Sequence, residues 1–292
     1  MSRIIQQKQK ALEFSRHQFE LKNKFPEHND LVQSLTVNGW AKLPFALSPE
    51  QLASIKEQSS KFKVYNAHVK AHSNGVPHDF QDLKRSSKYA CFDATDTMSI
   101  KELIDLSLDE RIINVTKDYF GAMPVCYSYN MWWAFPIPND VGYTTQVFHR
   151  DLDSYMFVAV FVLLTDIGGE NGGDHIFIRH THNDNMVIKH FPPDIAPYFT
   201  TLHDYGRLSQ SYEHMGNEFK DRLVGKAGDV FIADTFGIHK SELPLVDRHV
   251  CWFRYALEKT ESYNWDKLHE VKKLDAASFS DYQRYVLQLY TK

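Results

Sequence analysis

Few cysteines, no long apolar run and no large charge of either sign: each shortage removes a class of protein. The three cysteines among 292 residues, Cys91, Cys126 and Cys251, are scattered. They suit neither a disulfide framework nor a thiolate zinc site, and they read as buried thiols in a reducing compartment. A formal net charge of -4 offers no cationic footprint for a nucleic acid. The longest apolar stretch, "MFVAVFVLL", falls far short of the roughly 20 residues that cross a bilayer. The opening "MSRIIQQKQKALEF" has no apolar run of signal-peptide length. The expectation is a soluble cytoplasmic protein with no nucleic-acid partner and no membrane partner. Hydrophobic residues are plentiful at 43%, against 24% charged, which supports a packed core and argues against disorder.

The character of the chain changes at Pro124. Before it, helical signals dominate. Ile5, Leu12 and Phe19 share one helical stripe, stopped by Pro26. A short helix is predicted over Asp30 to Val37, ended by Asn38-Gly39. "WAKLPF" reads as a strand. Ser48 then caps a helix, with Pro49 in its first turn and Gln51 reaching back; Ser99 and Glu102 repeat the device. A third helix runs from Asp109 to Phe120 and stops at Gly121, while residues 66–98 read as loop-rich.

After Pro124, "VCYSYNMWWAF", "TTQVFH", "MFVAVFVLLT", "DHIFI", "DVFIAD" and "HVCWFRYAL" are short, β-branched or aromatic, and separated by turn residues. Such strands predict a sandwich or barrel. The glycine-rich "TDIGGENGGDH" precedes a strand and not a helix, so it reads as a turn and not a phosphate loop. The expected organisation is a single domain: a mainly helical region 1–123, a β core 124–258 with an insertion at 183–221, and a helical tail 259–292. The insertion is long and carries Phe191, Tyr198, Phe199, Tyr205 and Tyr212, the signature expected of a lid that orders over substrate.

The chemistry centres on "FHRDLDSYM". His149-Arg150-Asp151-Leu152 spells a kinase catalytic loop, but Met156 stands where a kinase needs asparagine, and no Asp-Phe-Gly follows. The alternative is a metal held by His149 and Asp151, which demands a distant third ligand. "GDVFIADTFGIHKSELPLVDRHVCWFRYAL" supplies His239 near a strand end, with Arg248 opening the next strand. Two histidines and one carboxylate on a jelly roll make the facial triad of non-haem Fe(II) oxygenases, leaving positions for a 2-oxo acid and O2.

These segments resemble the phytanoyl-CoA dioxygenase family of Fe(II)- and 2-oxoglutarate-dependent oxygenases. The match runs over residues 38–257: His-x-Asp, an apolar strand ending in Thr-Asp, Glu-Asn-Gly, Gly-Asp, the distal histidine, a serine two residues after it, and an arginine. Two features depart from the family. Arg179-His180-Thr181-His182 stands where Pro-Gly-Ser-His is usual, and "NMWWAFPIPND" lacks a lysine often found there. The resemblance implies that His149, Asp151 and His239 bind iron, while Arg248 and Ser241 hold the distal carboxylate of 2-oxoglutarate. It also implies O2 as oxidant, ascorbate as a reductant, and hydroxylation of a small molecule. The implied fold is α+β, mainly β: a double-stranded β-helix (jelly roll, cupin-like) with N-terminal flanking helices.

Some alternatives stay open. Along the last strand Arg248 and Arg254 share a face, so Arg254 is a rival clamp. Asn130, Tyr143 and Gln146 are the candidate substrate contacts. His175, His180 and His182 form a second cluster, read as polar loop residues because no carboxylate completes a site. A halogenase on this scaffold would need a small residue in place of Asp151. A cupin-like metal-binding protein without oxygenase activity would need no arginine clamp.

Overall fold

The computed structural model describes residues 25–66, 75–136, 144–154, 156–200, 217–257 and 273–292. The Ile5–Leu12–Phe19 stripe and Tyr143 lie outside the described residues, as do positions 201–216 and 258–272.

Ten strands are described: β1 (Trp40–Ala46), β2 (Tyr65–Asn66), β3 (Tyr89–Cys91), β4 (Val125–Ala134), β5 (Phe157–Leu163), β6 (His175–Ile178), β7 (Lys220–Leu223), β8 (Asp229–Ala233), β9 (His239–Ser241) and β10 (Arg248–Ala256). They make two antiparallel sheets of a jelly roll. The larger has the order β1-β8-β5-β10-β4-β3-β2, the smaller β7-β6-β9. Alternation along β10 explains the layering. Cys251, Phe253 and Tyr255 pack outward into the main core with Leu103, Ile112 and Ile113 of the helices. Val250 and Trp252 face inward, joining Phe161, Phe177 and Phe231 between the sheets. Across the larger sheet Trp252 stands opposite Asn130 and Phe161, and Arg254 opposite Ser128 and Ala159. Next, Tyr255 pairs with Cys126. Tyr127 is therefore an extra residue, a β-bulge that re-aims its side chain.

The helices are α1 (His28–Asn38), α2 (Pro49–Ser59), α3 (Phe80–Ser86), α4 (Ala94–Ser99), α5 (Lys101–Ser107), α6 (Glu110–Phe120), α7 (Asp184–His190), α8 (Pro197–Thr200) and α9 (Asp281–Val286). Among the described residues none is long and apolar enough to cross a membrane. The Ser48–Gln51 capping box forms as expected, and Gly121 ends α6. The Ser99–Glu102 box does not form. Ser99 donates instead to the Asp96 carbonyl (2.7 Å), and Glu102 reaches across to Ser54 (2.6 Å) and Gln58 (3.0 Å) of α2. An interhelical acceptor role outcompetes the local cap. Of the loop-rich reading of 66–98, residues 67–74 lie outside the described residues, and from Phe80 onward it gives way to α3, β3 and α4. These elements are too short to show a period, and β3 exists because it pairs with β4.

"TTQVFH" is not a strand. It forms a 3-10 turn (Thr144–Gln146) and pairs with the smaller sheet through the His149–His239 bridge. Pairing stops there because the next backbone bond, Asp151 N–H to the Thr235 carbonyl (2.9 Å), goes to the loop before β9.

In the 183–221 segment, residues 183–200 are a packed layer. Val187, Phe191 and Phe199 are buried against Phe148, Ile176, Ile178 and Ile238, on the outer side of β6. The Arg150 guanidinium ties this layer down, donating to the carbonyls of Phe199, Thr181 and Phe236. A lid opening and closing as a whole over 183–221 does not fit that burial.

The turn after β6 clasps the end of α1. His180 adopts φ 70°, the left-handed region where the resembled family has glycine. Its backbone N–H faces the Asn38 carbonyl (3.4 Å), its Nδ1 the Val37 carbonyl (2.6 Å), and His182 Nε2 the Thr36 carbonyl (3.1 Å). These are carbonyls that a helix end leaves unpaired. Gly39 must be glycine: its φ is +87°, and a Cβ would stand 2.6 Å from His182 Nδ1. His180 and His182 are thus structural.

Buried imidazoles make stability pH-dependent. His249 is fully buried on the outer face, stacked on Trp133 at 4.0 Å, with neither ring nitrogen hydrogen-bonded. Burial pushes it down to about 3. Burial also pushes His182 down to about 4, against the opposing Thr36 carbonyl. As pH falls below about 6.5 the unfolded chain takes up these protons first, so stability is lost down to the folded values. Asp234 acts oppositely: burial raises it to about 7 despite its bond from Tyr119, so the folded state holds a proton the unfolded state releases. Burial lowers His239 as well, so the buried histidines outnumber the one raised carboxyl and acidification below about 6 costs stability on balance. Urea unfolding at pH 6.5 and 5 should show the lower midpoint at pH 5, with a smaller drop in His249→Phe. A midpoint that rises on acidification would contradict the assignment.

Candidate metal centre

Each half of the centre is set by backbone. The His149–His239 bridge holds the two residues face to face through reciprocal N–H···O bonds of 2.9 and 3.0 Å, with ring centroids 4.3 Å apart. His149 Nδ1 lies 2.8 Å from the Val147 carbonyl, and His239 Nδ1 lies 2.8 Å from the Gly237 carbonyl. A carbonyl only accepts, so each Nδ1 carries the proton and each Nε2 presents a lone pair, the tautomer a metal ligand needs. The Asp151 carboxylate stands 3.8 Å from His149 Nε2 and 4.0 Å from His239 Nε2. One ion spans those separations at ligand distances of about 2.0–2.2 Å.

The protonation states suit a divalent cation. Burial works to raise the Asp151 carboxyl, but Arg254, His239 and His149 overcome it and hold it down at about 2. Burial pushes His239 down to about 4, aided by His149 and opposed by Asp151. The site thus offers a carboxylate and a neutral imidazole, the forms that bind metal.

Arg254 belongs to this centre. Its Nη2 donates to Asp151 (3.1 Å) and its Nη1 to Asp153 (2.7 Å); Asp153 also accepts from the bulged Tyr127 hydroxyl (2.8 Å). The fork fixes one carboxylate oxygen and leaves the other for metal. Outer partners of this kind are worth about 10–100-fold in metal affinity. Arg254→Ala should weaken Mn(II) binding by about that factor, measured by calorimetry without co-substrate. An unchanged Kd would remove Arg254 from metal support.

Arg248 is placed differently. It is 8% exposed, and its Nη1 donates to Ser241 (3.0 Å). Its Nε has no hydrogen-bond partner, and no ion pair to a carboxylate forms among the described residues. Burial lowers its guanidinium to about 10, which leaves it charged at neutral pH. Beside it is a pocket between the sheets, walled by Phe161, Leu163, Ile167, Leu223 and Phe231 and sharing His175 as a second polar group. Gly173 (φ +70°) makes room, since a Cβ there would lie 2.9 Å from Arg248 Cδ. Asp174 acts on Arg248 only through space, and a buried cation with no anion in hydrogen-bond reach is costly; a dicarboxylate reaching from the metal site to Arg248 would complete the pair.

The other sequence candidates divide. Asn130 is inward and buried, donating to Ser128 Oγ (2.5 Å). Gln146 is buried in the turn before His149. Tyr127, Asp153 and the buried, unpartnered Trp252 Nε1 were missed. Alternation along β10 was a signal for Trp252; nothing local marks Tyr127 or Asp153.

No protein-family model and no curated protein matches this sequence. Solved structures do match. SnoK, a non-haem α-ketoglutarate-dependent carbocyclase from nogalamycin biosynthesis, aligns at 16% identity with TM-score 0.52, covering 80% of this chain and 84% of that one. The corresponding epimerase SnoN aligns at 14% and 0.51, covering 78% and 82%. HygX from Streptomyces hygroscopicus, solved with nickel and 2-oxoglutarate, aligns at 14% and 0.51, covering 78% and 86%. At such identities the likeness shows a shared fold, and the chemistry must be argued from the residues.

Proposed function

We propose that this protein is an Fe(II)- and 2-oxoglutarate-dependent oxygenase that hydroxylates a small molecule. The observation that carries the reading is the buried Arg248, charged and with no acid in ion-pair reach among the described residues, beside a pocket next to a His149–Asp151–His239 cluster. The lone pairs on both Nε2 atoms and the ionised Asp151 fit a divalent iron; Arg248 and Ser241 fit the distal carboxylate of 2-oxoglutarate. The likeness to structures of 2-oxoglutarate-dependent enzymes supports the scaffold, and the motif resemblance to the phytanoyl-CoA dioxygenase family supports the residue roles.

When bound, iron with 2-oxoglutarate and O2 supplies oxidative decarboxylation to succinate and CO2 and an oxidant for a substrate C–H bond. The chain's own work is positioning. Val147 and Gly237 orient the imidazoles, and Arg254 with Asp153 and Tyr127 orients the carboxylate. Arg248 and Ser241 hold the far end of the co-substrate, and the pocket's apolar wall keeps water from it. Asp151 fills the position a halide would need, which disfavours halogenation. A metal-binding cupin without oxygenase activity would leave Arg248 buried to no purpose. The single-domain organisation is part of the proposal, with the helical layer as support for the larger sheet. SnoN and SnoK act as an epimerase and a carbocyclase, so the fate of the C–H bond rests on substrate placement; Asn130, Gln146 and Tyr143 remain the proposed substrate contacts.

The test is anaerobic addition of 2-oxoglutarate to the Fe(II)-loaded protein, followed by air and ascorbate. A visible charge-transfer band and then Fe(II)-dependent succinate are expected. Absence of both sinks the proposal.

A further inference from the structure

His175 opens β6 opposite Ser241, the residue that takes the Arg248 bond. It faces inward, is 8% exposed, and lines the same pocket as Arg248. Its ring stacks on the candidate ligand His239, with centroids 5.2 Å apart and planes 10° apart, and leans on Phe161 at 4.9 Å. Its Nε2 is buried and has no hydrogen-bond partner. Packing alone does not ask for imidazole here: the inward neighbour on β6 is Phe177, and the pocket wall is aliphatic and aromatic. A buried polar atom left without a partner destabilises a fold and calls for an explanation. The ring stands between a metal ligand and the pocket that holds the unpaired guanidinium, so a ligand filling that pocket would pass it.

We propose that His175 is a contact for the 2-oxo acid, its Nε2–H donating to an oxygen of the bound acid on the side of the pocket nearer the metal. This rests on the function proposed above. Arg248 then recognises the far carboxylate by charge, and His175 recognises an oxygen nearer the reacting end by a directed hydrogen bond. Both contacts come from one pocket but from different sheets, β10 and β6. A monocarboxylic 2-oxo acid would satisfy only His175, and a dicarboxylate would satisfy both.

The experiment measures two affinities on the same anaerobic preparations: Mn(II) alone, then 2-oxoglutarate on the Mn(II)-loaded protein. His175→Leu keeps bulk and loses the donor; His175→Gln keeps a donor in a similar place. The expected result is a loss of about tenfold in 2-oxoglutarate affinity for the leucine variant, largely restored by glutamine, with Mn(II) affinity unchanged in both. Unchanged 2-oxoglutarate affinity in the leucine variant would make His175 a packing residue. A parallel loss of Mn(II) affinity would make it a support for His239. Equal losses in the two variants would show that the hydrogen bond is not what matters. A wild-type protein that binds Mn(II) but not 2-oxoglutarate overturns the parent reading and this one with it. Urea midpoints of both variants, compared with wild type, check that each is folded.

Discussion

Asp151→Ala is expected to abolish Fe(II)-dependent succinate formation and to weaken Mn(II) binding by roughly two to three orders of magnitude. Asp151 is the only carboxylate in the cluster of candidate ligands among the described residues. Its loss removes the negative charge that offsets a divalent cation and leaves Arg254 with Asp153 as its remaining carboxylate partner among the described residues. A cation would then meet two neutral imidazoles with a guanidinium close by. Asp151→Asn separates charge from shape, and it should bind metal almost as poorly as alanine because an amide is neutral. Succinate formation at the wild-type rate in either variant would remove Asp151 from the centre. Wild-type Mn(II) affinity would do the same.

Arg248→Ala should leave Mn(II) binding near its wild-type value and raise the Kd for 2-oxoglutarate steeply. Truncating one partner of a buried, hydrogen-bonded charge pair costs about 2–5 kcal/mol, or roughly 30- to 4,000-fold. Arg248→Lys should recover only part of this, because an ammonium cannot offer two parallel bonds to a carboxylate. Apo stability points the other way. The wild-type pocket buries a guanidinium without an acid, so its removal should cost the empty protein little, or even raise its urea midpoint. Arg254→Ala supplies the contrast, with metal affinity falling first. Should Arg254→Ala impair 2-oxoglutarate binding while sparing Mn(II), and Arg248→Ala do the reverse, the two arginines would exchange roles.

That pair shows where reading the chain stops. Arg248 and Arg254 lie on one face of one strand, and a period of two carries no more information than that. What separates them is the neighbour each meets across the sheets. Arg254 meets Asp151 and Asp153, because the bridge at His149 brings the metal loop over that end of β10. Arg248 meets Ser241 and the Gly172-Gly173 turn. A sequence period reports a face and leaves the distance along it undetermined.

The strands β4, β5, β6, β8 and β10, the caps at Ser48 and Gly121, and the His149–Asp151 pair were legible because each depends on local propensity or on a short spacing, whereas the distant His239 was reached through its place near a strand end and the family resemblance. The same local logic failed at Ser99–Glu102, where a neighbouring helix offered Glu102 better partners, and at "TTQVFH", where a loop carbonyl ended the pairing. It was silent on His175 and Tyr127. Whether a histidine at a strand start finds a partner, or a tyrosine becomes a bulge, depends on residues brought near by chain pairing far away in sequence. Alternation and spacing thus determined the strands and the His-x-Asp pair among the candidate ligands. The assembled sheets decided which arginine meets Asp151 and which lines the pocket, because buried charges are assigned by the partners within hydrogen-bond reach.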